Sequence, residues 1–213
     1  LTGENLEEYL MSMRQISDAV YYNVVKENDF EKNKQDIQSG MNLLYEANKE
    51  KLRSIAIYNN YGSLMAAEPV ASQKEDPDVT SQDWYQKAME EMENMHFSTP
   101  HIQNLFNDTT HRYYWVVSLS RVVELTDQGV PQAGVLLVDM DFSSISRMMK
   151  QINEVNNGQY YYLCDSSGEI VYHPRQIQIS DGICEENSKR AATYKDGVYD
   201  EAFQGENRKV VVN

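Results

Sequence analysis

Apolar side chains at Leu6, Leu10, Met13, Ile16, Val20 and Val24 recur every three or four residues, the spacing that gathers one stripe along a helix, and predict helix over residues 4–27. After the polar interruption Glu27-Asn28-Asp29, a second stripe runs through Ile37, Met41 and Leu44 to Asn48. With little Gly or Pro to stop them, residues 1–50 predict one long helix or two nearly end to end, a candidate stalk.

The period then shortens to that of strands. Ser54–Tyr58 and Ser63–Ala66 flank the turn Asn59-Asn60-Tyr61-Gly62 and predict a hairpin. Thr80-Ser81-Gln82-Asp83 fits a Thr-x-x-acid helix start, with the helix running to Glu93 and Trp84, Ala88 and Met92 on its inner face. A Pro loop at Ser98-Thr99-Pro100-His101 leads to an aromatic and β-branched strand, Arg112–Leu119, then to a turn at Thr126–Gly129 and an apolar strand, Ala133–Val138. Helical spacing returns over Phe142–Ile152. A second cycle follows: strand Gln159–Cys164, turn Asp165-Ser166-Ser167-Gly168, and strand Glu169–Tyr172 closed by His173-Pro174. The pattern divides the chain into a stalk over 1–50, a first module over 51–155 and a second over 156–213.

Composition narrows the partners. The 213 residues are 41% hydrophobic and 24% charged, as in an ordinary globular protein, and no apolar run approaches the roughly 20 residues that cross a bilayer. Lys and Arg number 19 against 33 Asp and Glu, a net charge of -14 that repels phosphate backbones and anionic headgroups and argues against nucleic acid. Cys164 and Cys184 are too few for a disulfide scaffold and match no zinc spacing; their pairing stays open. The chain begins at Leu1 rather than Met and ends in the apolar run Val210-Val211-Val212, which leads us to expect a piece of a longer protein.

No nucleophile elbow, phosphate loop, zinc-helix or dinucleotide motif occurs, so the reading is non-enzymatic and without a cofactor. His96 and His101 stand five residues apart but lack an acid or Cys pattern to complete a metal shell, and read better as surface or pocket histidines. Asp139 and Asp141 share a strand face; Asp141 reads as the cap of the following helix, while Asp139 remains a candidate for a groove. Trp84-Tyr85 serves equally as core or as the wall of a small-ligand pocket. An excess of 15 Tyr over 5 Phe suits a polar cavity or a wet surface.

Taken in order, the long helix, the Asp83-Trp84-Tyr85 helix start, the Phe97–His101 loop, the run Gly134–Asp139 and the hairpin Tyr160–Pro174 resemble the double Cache family. That resemblance implies an α+β fold, a long N-terminal helix followed by two PAS-like antiparallel-sheet modules, the second truncated. It implies an extracellular sensor domain of a membrane-anchored, homodimeric bacterial receptor. The Gly168-Glu169-Ile170-Val171-Tyr172-His173-Pro174 ending is most similar to the sensors of YesM-type histidine kinases, so the parent would be a kinase in a two-component system. A small polar molecule, such as an amine, an amino-acid derivative or a sugar, would bind in the first module, lined by Trp84, Tyr85, His101, Tyr113, Trp115 and Asp139.

Gln82 stands where the family's amino-acid-binding branch carries an Arg, and His101-Ile102-Gln103 where it carries Tyr-x-Asp, which weakens an α-amino acid as ligand. The second module is expected to bind little. Ligand closure would bias the packing of the first module on its helix. A competing reading is an interaction module that reads a surface solute-binding protein without a ligand of its own. A hydrolase would require a perturbed His101 and Asp139 beside an activated hydroxyl.

Overall fold

The computed structural model describes residues 2–70, 73–74, 77–107, 114–154 and 158–213, with side chains from Glu7 onward. The chain forms two compact units: Leu6–Ser143, and Ser144–Asn213 with residues 2–5. They part at 143/144, whereas the pattern places the boundary at 155/156; α4 (Phe142–Glu154) follows a strand with no turn signal between, and nearly all of it belongs to the second unit.

The first unit opens with two helices rather than one. Helix α1 (Thr2–Val20) passes into a wider π-type turn, Tyr21–Val25, and after a bend α2 (Lys34–Asn48) begins. Their predicted stripes are the buried ones: Met13, Ile16 and Val20 on α1, Ile37 and Met41 on α2. From Leu6 onward α1, and all of α2, belong to the same compact unit as the sheet that follows.

That sheet is antiparallel. β1 (Leu52–Asn59), β2 (Leu64–Glu68), β3 (His96–Phe97), β4 (His101–Ile102), β5 (Trp115–Asp127) and β6 (Val130–Asp141) run in the order β2-β1-β6-β5-β3, with β4 also on β5. Apolar β6 sits at the centre. Gly134 lets it lie there, because a Cβ at that position would come within 2.5 Å of the Tyr58 carbonyl oxygen. The β5–β6 hairpin turns at Gln128-Gly129, whose φ angles of 51° and 77° are both left-handed, as a two-residue turn demands. Asp29 steadies it from the helical side, its carboxylate accepting the Gln128 and Gly129 amides at 3.2 and 2.6 Å.

Alternation gives the sheet two apolar faces. Ile55, Ile57, Leu119, Leu136 and Val138 share the face of Arg121, which bridges to Asp18 of α1 at 2.6 Å. Ala56, Tyr58, Val135 and Leu137 form the other, packed with Trp84, Tyr85 and Ala88 of α3 (Asp83–Glu90) and with Val79, Leu105 and Phe106. Each large side chain buried here contributes about 1.5–3 kcal/mol.

Helix α3 does not start as predicted. Gln82 is its N-cap without a side-chain bond, because Asp78 captures the turn: Ser81 donates its amide to Asp78 Oδ1 at 3.3 Å and its hydroxyl to the Asp78 carbonyl at 3.1 Å. The helix ends at Glu90, leaving Met92 exposed rather than inside.

The second unit contains the rest of α4, with Ile145 and Met149 buried, and two separate antiparallel ladders: β7 (Leu163–Cys164) with β8 (Ile170–Tyr172), and β9 (Gly197–Phe203) with β10 (Glu206–Val212). Short helices α5 (Gln176–Ser180) and α6 (Ser188–Ala191) connect them. The predicted strand 159–164 shrinks to two residues because Asn153 takes the Tyr161 backbone, accepting its amide at 2.8 Å and donating to its carbonyl at 3.0 Å. Cys164 and Cys184 are unpaired, each half-buried. No described helix is long and apolar enough to cross a membrane.

Candidate ligand site

On the α3 face of the sheet, one row of polar residues crosses three strands. In register, Ser54 of β1 faces Asp139 of β6, which faces Ser118 of β5. A bulge between Leu52 and Ser54 sets that alignment. All three are buried, Asp139 to 1% exposure. Asp139 accepts a hydrogen bond from Ser54 Oγ at 3.3 Å and a short one from Ser118 Oγ.

Beyond Ser118, His101 closes the row from β4. Its Nε2 lies 3.3 Å from Ser118 Oγ, and its Nδ1 lies 2.9 Å from the Thr99 carbonyl and 3.2 Å from Ser98 Oγ. The Pro loop is fixed to the strand as well, since the Ser118 amide donates to Ser98 Oγ at 2.9 Å. Hydrogen-bond accounting allows two proton placements with Nδ1–H on Thr99. In one, an imidazolium His101 donates to Ser118, which donates to an ionised Asp139. In the other, a protonated Asp139 donates to Ser118, which donates to neutral His101. Both contain the same number of protons.

Burial is the largest influence on Asp139 and raises its pKa above the ordinary carboxylate value; the bonds from Ser118 and Ser54 and the charge of His101 only partly oppose it. Among the described residues it has no ion pair with Lys or Arg. On the same face, four residues along β1 from Ser54, stands Tyr58, fully buried, whose hydroxyl has no hydrogen-bond partner among the described residues. Burial, then the charge of Asp139, pushes the Tyr58 phenol upward.

The residues singled out in the sequence divide as follows. Asp139 and His101 meet through Ser118. Trp84 and Tyr85 are core residues: Trp84 packs on Tyr58 at 5.5 Å and edge-on to Tyr85 at 5.8 Å, and the Tyr85 hydroxyl is bonded to the Asn59 carbonyl at 3.0 Å. Trp115 is not brought to the site. It has the parity of Leu119 rather than Ser118, so it points to the opposite face, and it is 52% exposed. Tyr113 lies outside the described residues. Asp141 caps α4, accepting the Ser143 amide at 2.8 Å. Ser54, Ser118 and Tyr58 escape sequence reading, although the alternation of β1 already puts Tyr58 on one face with Ser54.

The arrangement suits binding rather than hydrolysis. A nucleophilic triad needs the imidazole between acid and hydroxyl. Here the hydroxyl stands in the middle, buried, with its own amide engaged by Ser98. No group of His, Cys, Asp and Glu among the described residues assembles a metal site.

Comparison with known proteins agrees with this architecture. The Cache domain family profile matches residues 2–212, and the chain belongs to that family. Among solved structures, the fold is similar to the ligand-binding domain of the Pseudomonas aeruginosa PAO1 amino-acid chemoreceptor PctC in complex with GABA, at 16% identity and a TM-score of 0.67 over 99% of this chain and 87% of that one. It is also similar to the ligand-binding domain of the Pseudomonas fluorescens chemoreceptor CtaA in complex with L-serine, at 14% identity and a TM-score of 0.63 over 98% and 83%. The same domain of Campylobacter jejuni chemoreceptor Tlp3, in complex with 4-methylisoleucine, gives 14% and 0.63 over 98% and 80%. None of the curated proteins matches the sequence.

Proposed function

We propose that this chain is the extracellular sensor domain of a bacterial membrane receptor, and that its first unit binds a small amine at Asp139. The observation that carries the reading is a fully buried carboxylate, held by two hydroxyls and, among the described residues, paired with no Lys or Arg. Such a carboxylate suits a cationic partner that arrives from solution. The solved relatives support small amino compounds as the class, since their ligands are GABA, L-serine and 4-methylisoleucine. An amine on Asp139 favours the ionised form of that carboxyl.

On the form of the Gly168–Pro174 hairpin, we take the parent to be a homodimeric histidine kinase; a chemotaxis output is the alternative, as in the solved relatives. A second reading, a surface that recognises a solute-binding protein, has one observation in its favour. Ile102 and Trp115 are in register on β4 and β5 and both exposed.

A thermal-shift screen of the purified domain against amines, amino acids, amino alcohols, short carboxylates and sugars tests the proposal. An amine at 100 times its dissociation constant should add about 2.7 kcal/mol, several degrees for a domain of this size. Folded Asp139→Asn should lose that shift. If no amine shifts the wild type, or Asp139→Asn keeps the shift, the reading fails.

A further inference from the structure

We infer that the first unit carries a second binding site, on the sheet face away from Asp139, for an uncharged aromatic molecule that bears one hydrogen-bond donor. It stands independently of the amine reading. A cavity of about 290 Å³ lies between α2 and β2, lined chiefly by Phe30, Ile37, Gln38, Met65 and Ala66. Ala66 pairs with Ile57 and Glu68 with Ile55, so both lie on the Ile55–Ile57 face, opposite the Ser54–Asp139–Ser118 row. A bulge opens the cavity on the strand side: Tyr58 pairs with Leu64 but Ile57 with Ala66, which makes Met65 an extra residue of β2. Bulges re-aim side chains, and the consecutive residues Met65 and Ala66 line one cavity where strict alternation would part them.

One polar group in the lining is fixed in advance. Gln38 Nε2 donates to the Ala67 carbonyl at 3.0 Å and to the buried Glu68 carboxylate, which Asn42 Nδ2 also holds at 3.4 Å. Two acceptors on that end set the orientation of the amide and use both of its hydrogens. What Gln38 has left is Oε1, an acceptor with no partner among the described residues. It calls for a guest that donates.

The remaining walls say what carries that donor. Phe30 and Ile37 are buried, and Phe30 is pinned by its amide, which donates to the Thr126 carbonyl at 2.8 Å. A phenyl ring and the Met65 thioether both favour an aromatic guest. A charge is not called for, because Lys34 at the cavity is largely exposed and already paired with Glu31 at 3.2 Å. Apolar walls with one fixed polar group are the usual make-up of a small-molecule site. An indole N–H or a phenol O–H on Gln38 Oε1 completes it.

The test titrates indole and phenol into the isotope-labelled whole chain, each beside an analogue that lacks the donor, N-methylindole and anisole, and follows the amides by NMR. Saturable shifts should centre on Lys34–Gln38 and Met65–Ala67, and at least one donor should bind about three to ten times more tightly than its analogue. Ala66→Leu fills the cavity and leaves every polar group in place; it should stay folded and lose the shifts. Gln38→Met, checked for folding by its melting curve because it also takes a donor from Glu68, should bind donor and analogue alike. If it does not fold, Ala66→Leu and the matched pairs decide. The inference is overturned if neither indole nor phenol gives saturable shifts, or if the shifts centre on Ser54, Ser118 and Asp139. Undiminished binding by folded Ala66→Leu, equal binding within both pairs, or a preference kept by folded Gln38→Met overturns it as well. None of these outcomes bears on the amine reading of Asp139.

Discussion

Two buried carboxylates, one in each unit, have been treated in opposite ways. Asp139 in the first unit receives two hydroxyl bonds and no fixed cation. Glu186 in the second is equally hidden, its side chain 1% exposed, yet it is saturated. It accepts from Tyr160 Oη at 2.6 Å, His173 Nε2 at 3.1 Å, Arg208 Nη2 at 2.6 Å and the Asn187 amide at 2.9 Å. Even the histidine tautomer is set: Nδ1 accepts the Arg175 amide at 3.0 Å, so the proton stays on Nε2. Arg208 also grips Glu201, fastening β10 and β9 to the loop before α6. Burial pushes both carboxyls upward. Only at Glu186 do the bonds from His173, Tyr160, Arg208 and Asn187 reverse it, to about 2. A completed network rigidifies, while a buried charge left short of partners marks a place where a ligand can supply them.

The severest way to break the comparison is Arg208→Ala. It leaves Glu186 and Glu201 buried around a lost guanidinium, and removing one partner of a buried ionic group costs about 3–5 kcal/mol. Hydrogen exchange should show the amides of β9 and β10 losing protection. If protection and melting temperature stay at wild-type values, the network is ornamental and the contrast with Asp139 collapses.

Asp139→Asn probes the other side with a smaller effect of opposite sign. A carboxyl whose folded pKa is raised favours the folded state below its ordinary value and withdraws that support as pH climbs through the raised one. Above that raised value ionised Asp139 is therefore a burden, and there the amide should stabilise by about 0.5–2 kcal/mol, a gain that fades toward pH 4. Glu186 runs the other way: its contribution is complete above its ordinary value and is lost as pH falls through that range toward about 2. Melting curves from pH 4 to 8 should show Asp139→Asn diverging upward from wild type as pH rises. A destabilised variant at pH 8 would mean that Asp139 is held by more than the two serines.

Much of this was legible before the fold. The stripes of α1 and α2 depend on local spacing, and the central strand announced itself by its apolar run; Asp139 stood out as a charge at its end. The rest depends on pairing between distant segments. Ser54 and Ser118 are unremarked strand residues until a register shift at Leu52/Ser54 brings both to Asp139. Thr80 resembles a helix cap until Asp78 competes for the turn. The Glu186 network joins residues from Tyr160 to Arg208, and no spacing in the sequence connects them.

Trp115 gives the smallest expected effect and the sharpest use of alternation. The family resemblance puts it in the pocket, whereas its register partner is Ile102 and its parity matches Leu119, so its ring stands on the face away from Asp139. Half exposed at a strand end, it buries little, and Trp115→Ala should change stability by no more than about 0.5 kcal/mol. Amine affinity should be unchanged, because its parity puts the ring on the sheet face opposite the Ser54–Asp139–Ser118 row. Calorimetry on Trp115→Ala beside Asp139→Asn separates the two readings of the domain. If the tryptophan variant loses the amine, ligand and exposed face are one site and the alternation argument is wrong. If it keeps the amine but no longer binds a surface solute-binding protein that the wild type recognises, the exposed Ile102–Trp115 pair is a separate docking face. Asp139 then remains the ligand's own.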